Sequence, residues 1–189
     1  VQAGGLLKQV AFPRIVLPLA PVLAEAVHFL MMLAILILAC LLKWWPDHGS
    51  GLELLPLFYL PVILLLHLMI TLGVGLLLST MNVFYRDTEQ LANTFMTVLF
   101  FGTPVLYAPP TLEKFQSLGF LNERSAEIIH QIYYLNPMTH VIKGYRDVLL
   151  DLSNPDPGSL AMAFGLGLVL LVWGYCVFMK SESRFAEEI

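Results

Sequence analysis

The chain is 189 residues long, 58% hydrophobic and only 13% charged, with a mean hydropathy of +0.76. A soluble domain carries about 25% charged residues, so this chain has too little charge to coat a water-facing surface, and lipid must solvate much of its exterior. That excludes a soluble enzyme, and a net charge of -4 offers no basic field for nucleic acid as a partner.

The chain opens on VQAGGLLKQVAFPR, shows no signal-peptide pattern and reads as a piece of a longer protein. The first apolar run, residues 16–42, is interrupted only by Glu25 and His28; the second, residues 54–80, only by His67. Both meet the length of about 20 residues that a helix needs to cross a bilayer. Pro18, Pro21, Pro56 and Pro61 fall in the opening turns, where proline costs little. Residues 91–108 form a shorter, more polar candidate with Asn93, Thr94, Thr97 and Thr103, rich in Phe and carrying Pro104 near its end.

The connection over residues 109–157 is the most irregular stretch. Its second half has helical spacing interrupted at Leu135-Asn136-Pro137, because proline donates no backbone hydrogen bond and disfavours helix in the residue before it. Two short amphipathic helices are expected, dipping into the membrane as a re-entrant pair; a pair lying flat on its surface is the alternative. Residues 160–179 form a last apolar run with no charge. The expected fold is therefore all-α, a polytopic membrane helical bundle of four transmembrane spans plus a re-entrant helical pair, in one domain over residues 1–189.

Four spans place both termini on one side. Lys8, Arg14, Arg86, Lys180 and Arg184 would share that side, against Lys43, Lys114, Arg124, Lys143 and Arg146 opposite, so charge does not orient the chain. Chemistry is sparse. His28, His48, His67, His130 and His140 have no metal-ligand spacing, no nucleotide or nucleophile motif occurs, and no catalytic or metal residue is expected. Glu25 and His28 share a helix face, which points to a polar contact between neighbouring helices ahead of a proton relay. His67 is expected to be a hydrogen-bonding side chain. Gly73 and Gly75, and Gly165, Gly167 and Gly174, suggest small-residue packing faces. Cys40 and Cys176 lie in apolar runs and suggest no disulfide framework.

Aromatic residues cluster at Phe58 and Tyr59, along Phe95, Phe100, Phe101 and Tyr107, and at Tyr133 and Tyr134. Two readings stand. Rings near span ends form an interfacial belt, as suits Trp44 and Trp45; rings along an aqueous path would stack on the apolar faces of sugars.

Four segments, AFPRIVLPLAPVL, MNVFYRDTEQL, FFGTPVLY and YYLNPMTHVIKGYRDVLL, occur in an order that resembles the type-2 ABC exporter permeases that move polysaccharides. Members usually have six spans, and this chain is similar to the last four. The resemblance implies a cytoplasmic coupling segment over residues 1–14. Leu6, Leu7, Phe12, Pro13 and Arg14, with Arg86 and Asp87, would lie toward an ATPase, and Asp87 would cap the next helix. It implies an extracytoplasmic gate over residues 109–157, broken at Asn136, Pro137 and Met138. The substrate path would run along Phe100, Phe101, Tyr107, Tyr133 and Tyr134.

The implied partners are an ATP-binding ABC subunit holding the ATP and Mg, a second permease copy in a homodimer, a lipid-linked glycan such as O-antigen, capsule or teichoic acid, and membrane lipid. This chain itself would bind no cofactor. It would lie in the plasma or inner membrane, multi-pass, with both termini cytoplasmic. Export of a drug or small lipid is the nearest alternative. An ATP-independent channel or secondary transporter is the other, with Glu25, His28 and His67 as its only candidate relay groups.

Overall fold

A computed structural model describes residues 15–48, 55–85, 87–103, 105 and 123–182. Among these the regular secondary structure is all helical. Helix α1 covers Val16–His48; a 3-10 turn at Leu55–Tyr59 leads into α2, Leu60–Phe84; α3 covers Thr88–Gly102; α4 Glu123–Leu135; α5 Pro137–Leu149; and α6 Pro157–Ser181. Three helical stretches are long and apolar enough to cross a membrane: Val16–Trp44, Leu55–Phe84 and Pro157–Ser181. Their outer surfaces are apolar, with Met32 68%, Leu65 67% and Val169 64% exposed, as a lipid-solvated exterior requires.

The candidate at residues 91–108 forms α3, which begins earlier and stops at Gly102. Its 15 residues give a rod of about 22 Å, short of the roughly 30 Å hydrocarbon core. The stop has a local cause. Thr103 precedes Pro104, whose ring disfavours the helical region for its neighbour, and Thr103 is extended at φ -103° and ψ 140°. The fourth span is thus not completed within the described residues. The threonines noted along α3 are accommodated internally: Thr94, Thr97 and Thr103 donate their hydroxyls to the carbonyls of Gln90, Asn93 and Leu99.

Helix α2 is the hub. It packs along its length against α6, and its first half meets α5 as well. Gly73 lies against the backbone of Leu170 and Leu171, Gly174 lies against the carbonyl of Gly73, and Gly167 sits under Met69 and Ile70. The absence of side chains at these points lets the two backbones approach. Where α5 wedges in, Ile63, Val141, Val148 and Ala163 are fully buried. Helix α1 joins this core through Leu33, Cys40 and Trp44.

The start of α6 is set by Asp156, whose carboxylate accepts from the backbone N–H groups of Gly158 (3.3 Å) and Ser159 (3.0 Å), with Pro157 in the first turn. Asp156→Ala is expected to lower stability by about 1 kcal/mol, read as a shift in the thermal unfolding midpoint, with Asp156→Asn retaining most of it.

Candidate functional site

The site is the elbow between α4 and α5. The break falls at Asn136, whose backbone is extended (φ -74°, ψ 112°) ahead of Pro137 at the first turn of α5. Asn136 uses both ends of its amide. Its Oδ1 accepts from the Met138 N–H at 3.0 Å, capping α5, and its Nδ2 donates to the Thr103 hydroxyl at the end of α3, at 2.9 Å. These two roles also fix which end of the amide is which. Thr139, fully buried, donates its hydroxyl to the Tyr133 carbonyl at 3.2 Å, tying α5 back to the last turn of α4.

His140 closes the elbow from the other side. Its ring is 6% exposed; Nε2 lies 2.8 Å from the Tyr134 carbonyl and Nδ1 2.8 Å from the Ser159 hydroxyl. A carbonyl only accepts, so Nε2 carries the proton and Nδ1 accepts from Ser159. One side chain thereby joins α4, α5 and the start of α6. Farther along α5, Arg146 donates to the Val105 carbonyl at 2.9 Å, a second tie to the chain leaving α3. Burial holds the Asp147 carboxyl above the usual carboxylate range; Lys143 opposes this, and Asp151 and Asp156 add to it.

Aromatic rings crowd the same place. Tyr134 lies 4.7 Å from His130, 5.3 Å from Tyr133 and 5.8 Å from His140, centroid to centroid. An open cleft of about 560 Å³ runs past Tyr134, His140, Lys143, Asp156 and Ser159. Beside the elbow, α3 presents a nearly bare surface: Leu91, Phe95, Val98, Phe100 and Phe101 are all exposed, and the rings of Phe100 and Phe101 meet edge to face at 5.5 Å. The Thr103–Asn136 hydrogen bond therefore sets Phe100 and Phe101 on one side of a junction that carries Tyr133 and Tyr134 on the other. Tyr133 and Tyr134 are half-buried, and Asn136, Pro137 and Met138 form the junction itself. Leu6, Leu7, Phe12, Pro13, Arg14, Arg86 and Tyr107 lie outside the described residues.

Three sequence expectations need correction. Asp87 stands at the N-cap position of α3 but makes no side-chain cap bond, because its backbone is already helical (φ -84°, ψ -1°) where a capping residue is extended. Thr88 instead turns its hydroxyl back to the Tyr85 carbonyl at 2.8 Å. Glu25 and His28 do not bridge two helices. They pair with each other at 3.4 Å within α1 and face outward. The His67 ring makes aromatic contacts, edge-on to Phe29 at 4.8 Å and 6.2 Å from Tyr145, rather than the hydrogen bonding expected of it. These three polar residues share a groove of about 400 Å³ between α1 and α2.

Sequence reasoning named His140, Thr103 and Arg146 without giving them a role at the elbow, and did not single out Ser159. The Asp-Pro-Gly-Ser run that caps α6 was a readable signal; the other contacts join segments far apart in the chain.

Membrane-capable helices packed around a broken helical pair make this a polytopic membrane protein. The chain belongs to the ABC-2 type transporter family, whose description matches residues 4–150. It is similar to two O-antigen export system permease proteins RfbA of Klebsiella pneumoniae, each 28% identical, over 96% of this chain and 63% of the relative. It is also similar to the O-antigen export system permease protein RfbA of Myxococcus xanthus, 29% identical over 97% of this chain and 64% of the relative. The chain thus spans somewhat under two thirds of the length of these curated relatives.

Proposed function

We propose that this chain is part of the membrane permease subunit of an ATP-driven exporter whose cargo is a lipid-linked polysaccharide. The observation that carries the cargo is the bare face of α3. From Leu91 to Phe101 it exposes apolar and aromatic side chains with no charge, and it ends at the α4–α5 elbow. A polymer that must slide cannot be held by tight, directional bonds. Aromatic faces offer contacts that tolerate changes in the repeating unit, as they do for successive bases of a nucleic acid strand. The names of the curated relatives support the same cargo.

In this reading the chain performs no catalysis and binds no nucleotide; ATP and Mg belong to a partner ABC subunit. Residues 1–14, with Leu6, Leu7, Phe12, Pro13 and Arg14, would dock on that subunit, with Arg86 and Asp87 near the same surface. Both termini would be cytoplasmic, the membrane the plasma or inner membrane, and residues 109–157 the extracytoplasmic gate. A second permease copy would complete the path, which explains why α3 is so little covered by its own chain.

The groove holding Glu25, His28 and His67 favours a second reading, a proton-coupled carrier, since ionisable groups within a span commonly mark such sites. Inside-out membrane vesicles separate the two. Uptake of labelled lipid-linked glycan is expected to need ATP and to survive a protonophore; uptake that survives ATP depletion and collapses with the proton gradient would select the carrier. In the same assay, Phe95→Ala with Phe101→Ala is expected to cut glycan uptake about tenfold, the size of one or two lost stacking contacts. Assembly should be intact, because both rings are exposed and their loss leaves no cavity in the core. Unchanged uptake would remove α3 from the path.

A further inference from the structure

Among the described residues, the hydrogen bonds that tie helix α3 to other segments lie at its two ends. At its start Thr88 is buried and bonded to Tyr85; of its helical residues Thr88 alone is buried. Past its end, Thr103 is 4% exposed, donates its hydroxyl to Leu99 at 2.6 Å and accepts from Asn136. Two residues on, the Val105 carbonyl accepts from Arg146. These bonds grip α5 near its first turn and in its last, so they constrain the direction of the helix as well as its position. The Asn136–Thr103 bond is part-buried and the Arg146–Val105 bond is exposed, so the first is the stronger tie; among the described residues these two are the hydrogen bonds that join the end of α3 to the elbow.

We propose that Thr103, Asn136 and Arg146 act as a strap joining α3 to the α4–α5 elbow as one moving unit. They are positioning residues: a shift of α3 at its Tyr85–Thr88 end is delivered through the strap to the break at Asn136. The strap rests on the reading above, in which α3 walls the path and the elbow is its gate. It accounts for why the break is made with asparagine. Aspartate would cap α5 equally well, but its carboxylate only accepts and could not also donate to Thr103, whose one hydroxyl proton is already engaged by Leu99. Serine would have to serve both partners from one oxygen on a shorter side chain, whereas asparagine divides the two bonds between Oδ1 and Nδ2.

Asn136→Asp keeps the cap and removes only the donor to Thr103; Thr103→Val keeps the shape but removes both the acceptor for Asn136 and the donor to Leu99; Thr103→Ser keeps the hydroxyl. The full-length permease with its ATPase partner, in lipid nanodiscs, is followed by hydrogen exchange at residues 99–103 and 133–139. Reconstituted in vesicles, it is followed by glycan moved per ATP hydrolysed. Asn136→Asp is expected to raise exchange in both segments about fivefold, as loss of one hydrogen bond predicts, and Thr103→Val, which also loses the bond to Leu99, at least as much. Transport per ATP should fall while hydrolysis persists, and Thr103→Ser should restore both. Faster exchange confined to one segment, failure of Thr103→Ser to rescue, or transport per ATP unchanged despite faster exchange would each overturn the strap. If the wild type moves no glycan, the cargo reading fails, and the exchange pattern with its rescue decides the strap alone.

Discussion

A single methyl group added at Gly174 is expected to destabilise the folded protein by about 3 kcal/mol, the upper range for overpacking a close contact. A Cβ there would run into the Gly73 carbonyl oxygen, and one at Gly73 would lie 2.7 Å from backbone atoms of Leu170 and Leu171. Backbone cannot rotate aside as a side chain can, so relief requires separating α2 from α6 over their whole length. Gly167 is a milder case, since the nearest atom is the flexible end of Met69 at 2.6 Å. Gly165, two residues from the close contact at Gly167 but with open space around it, has nothing within 4 Å. Gly165→Ala should therefore be neutral or stabilising by up to about 1 kcal/mol through helix propensity. Thermal unfolding in detergent followed by circular dichroism checks the pair. Equal losses at Gly174 and Gly165 would mean that α2 and α6 are not in backbone contact.

His140→Ala is the second large effect, expected to cost about 3 kcal/mol from two stranded polar groups and a cavity. The Tyr134 carbonyl and the Ser159 hydroxyl would lose their partner at the buried edge of the cleft. His140→Gln, which keeps a donor and an acceptor on one side chain, should recover part of the loss, whereas His140→Leu, similar in bulk, should recover little. Recovery by leucine equal to that by glutamine would show that His140 acts by filling space. Unlike the changes at Thr103, these variants should alter stability and gate integrity together.

The apolar runs announced the spanning helices because length and hydropathy are properties of consecutive residues. The break at Asn136-Pro137 was legible for the same reason: proline acts on its immediate neighbour. Local signals also explain the boundary errors. Proline's effect on Thr103 shortened α3, and the Asp156 cap started α6 ahead of its first long apolar side chain. What could not be read was pairing across distance. Glycines were visible as a set, but only the packed helices distinguish Gly73, Gly167 and Gly174, which touch a neighbour, from Gly165, which does not. The bonds from Asn136 to Thr103 and from His140 to Ser159 join residues 33 and 19 positions apart, and no periodicity reports them. Glu25 and His28 show the converse: their spacing permitted a bond, and it formed within α1 rather than between helices.

In the proposed reading, the elbow links these observations to transport. Its stability comes from His140 and the core around Ile63 and Val141, its connection to the aromatic face of α3 from Thr103 and Arg146. An ATP-driven permease needs both a rigid gate and a way to move it from the cytoplasmic side, and the proposed account assigns the second task to α3.

The most direct test of the permease assignment is to purify the protein from its native membrane in gentle detergent and identify what comes with it. The account predicts an ATP-binding subunit with a phosphate-binding loop in stoichiometric amount. A protein that retains its cargo transport but comes with no such subunit would contradict it and move the assignment to the carrier built on Glu25, His28 and His67.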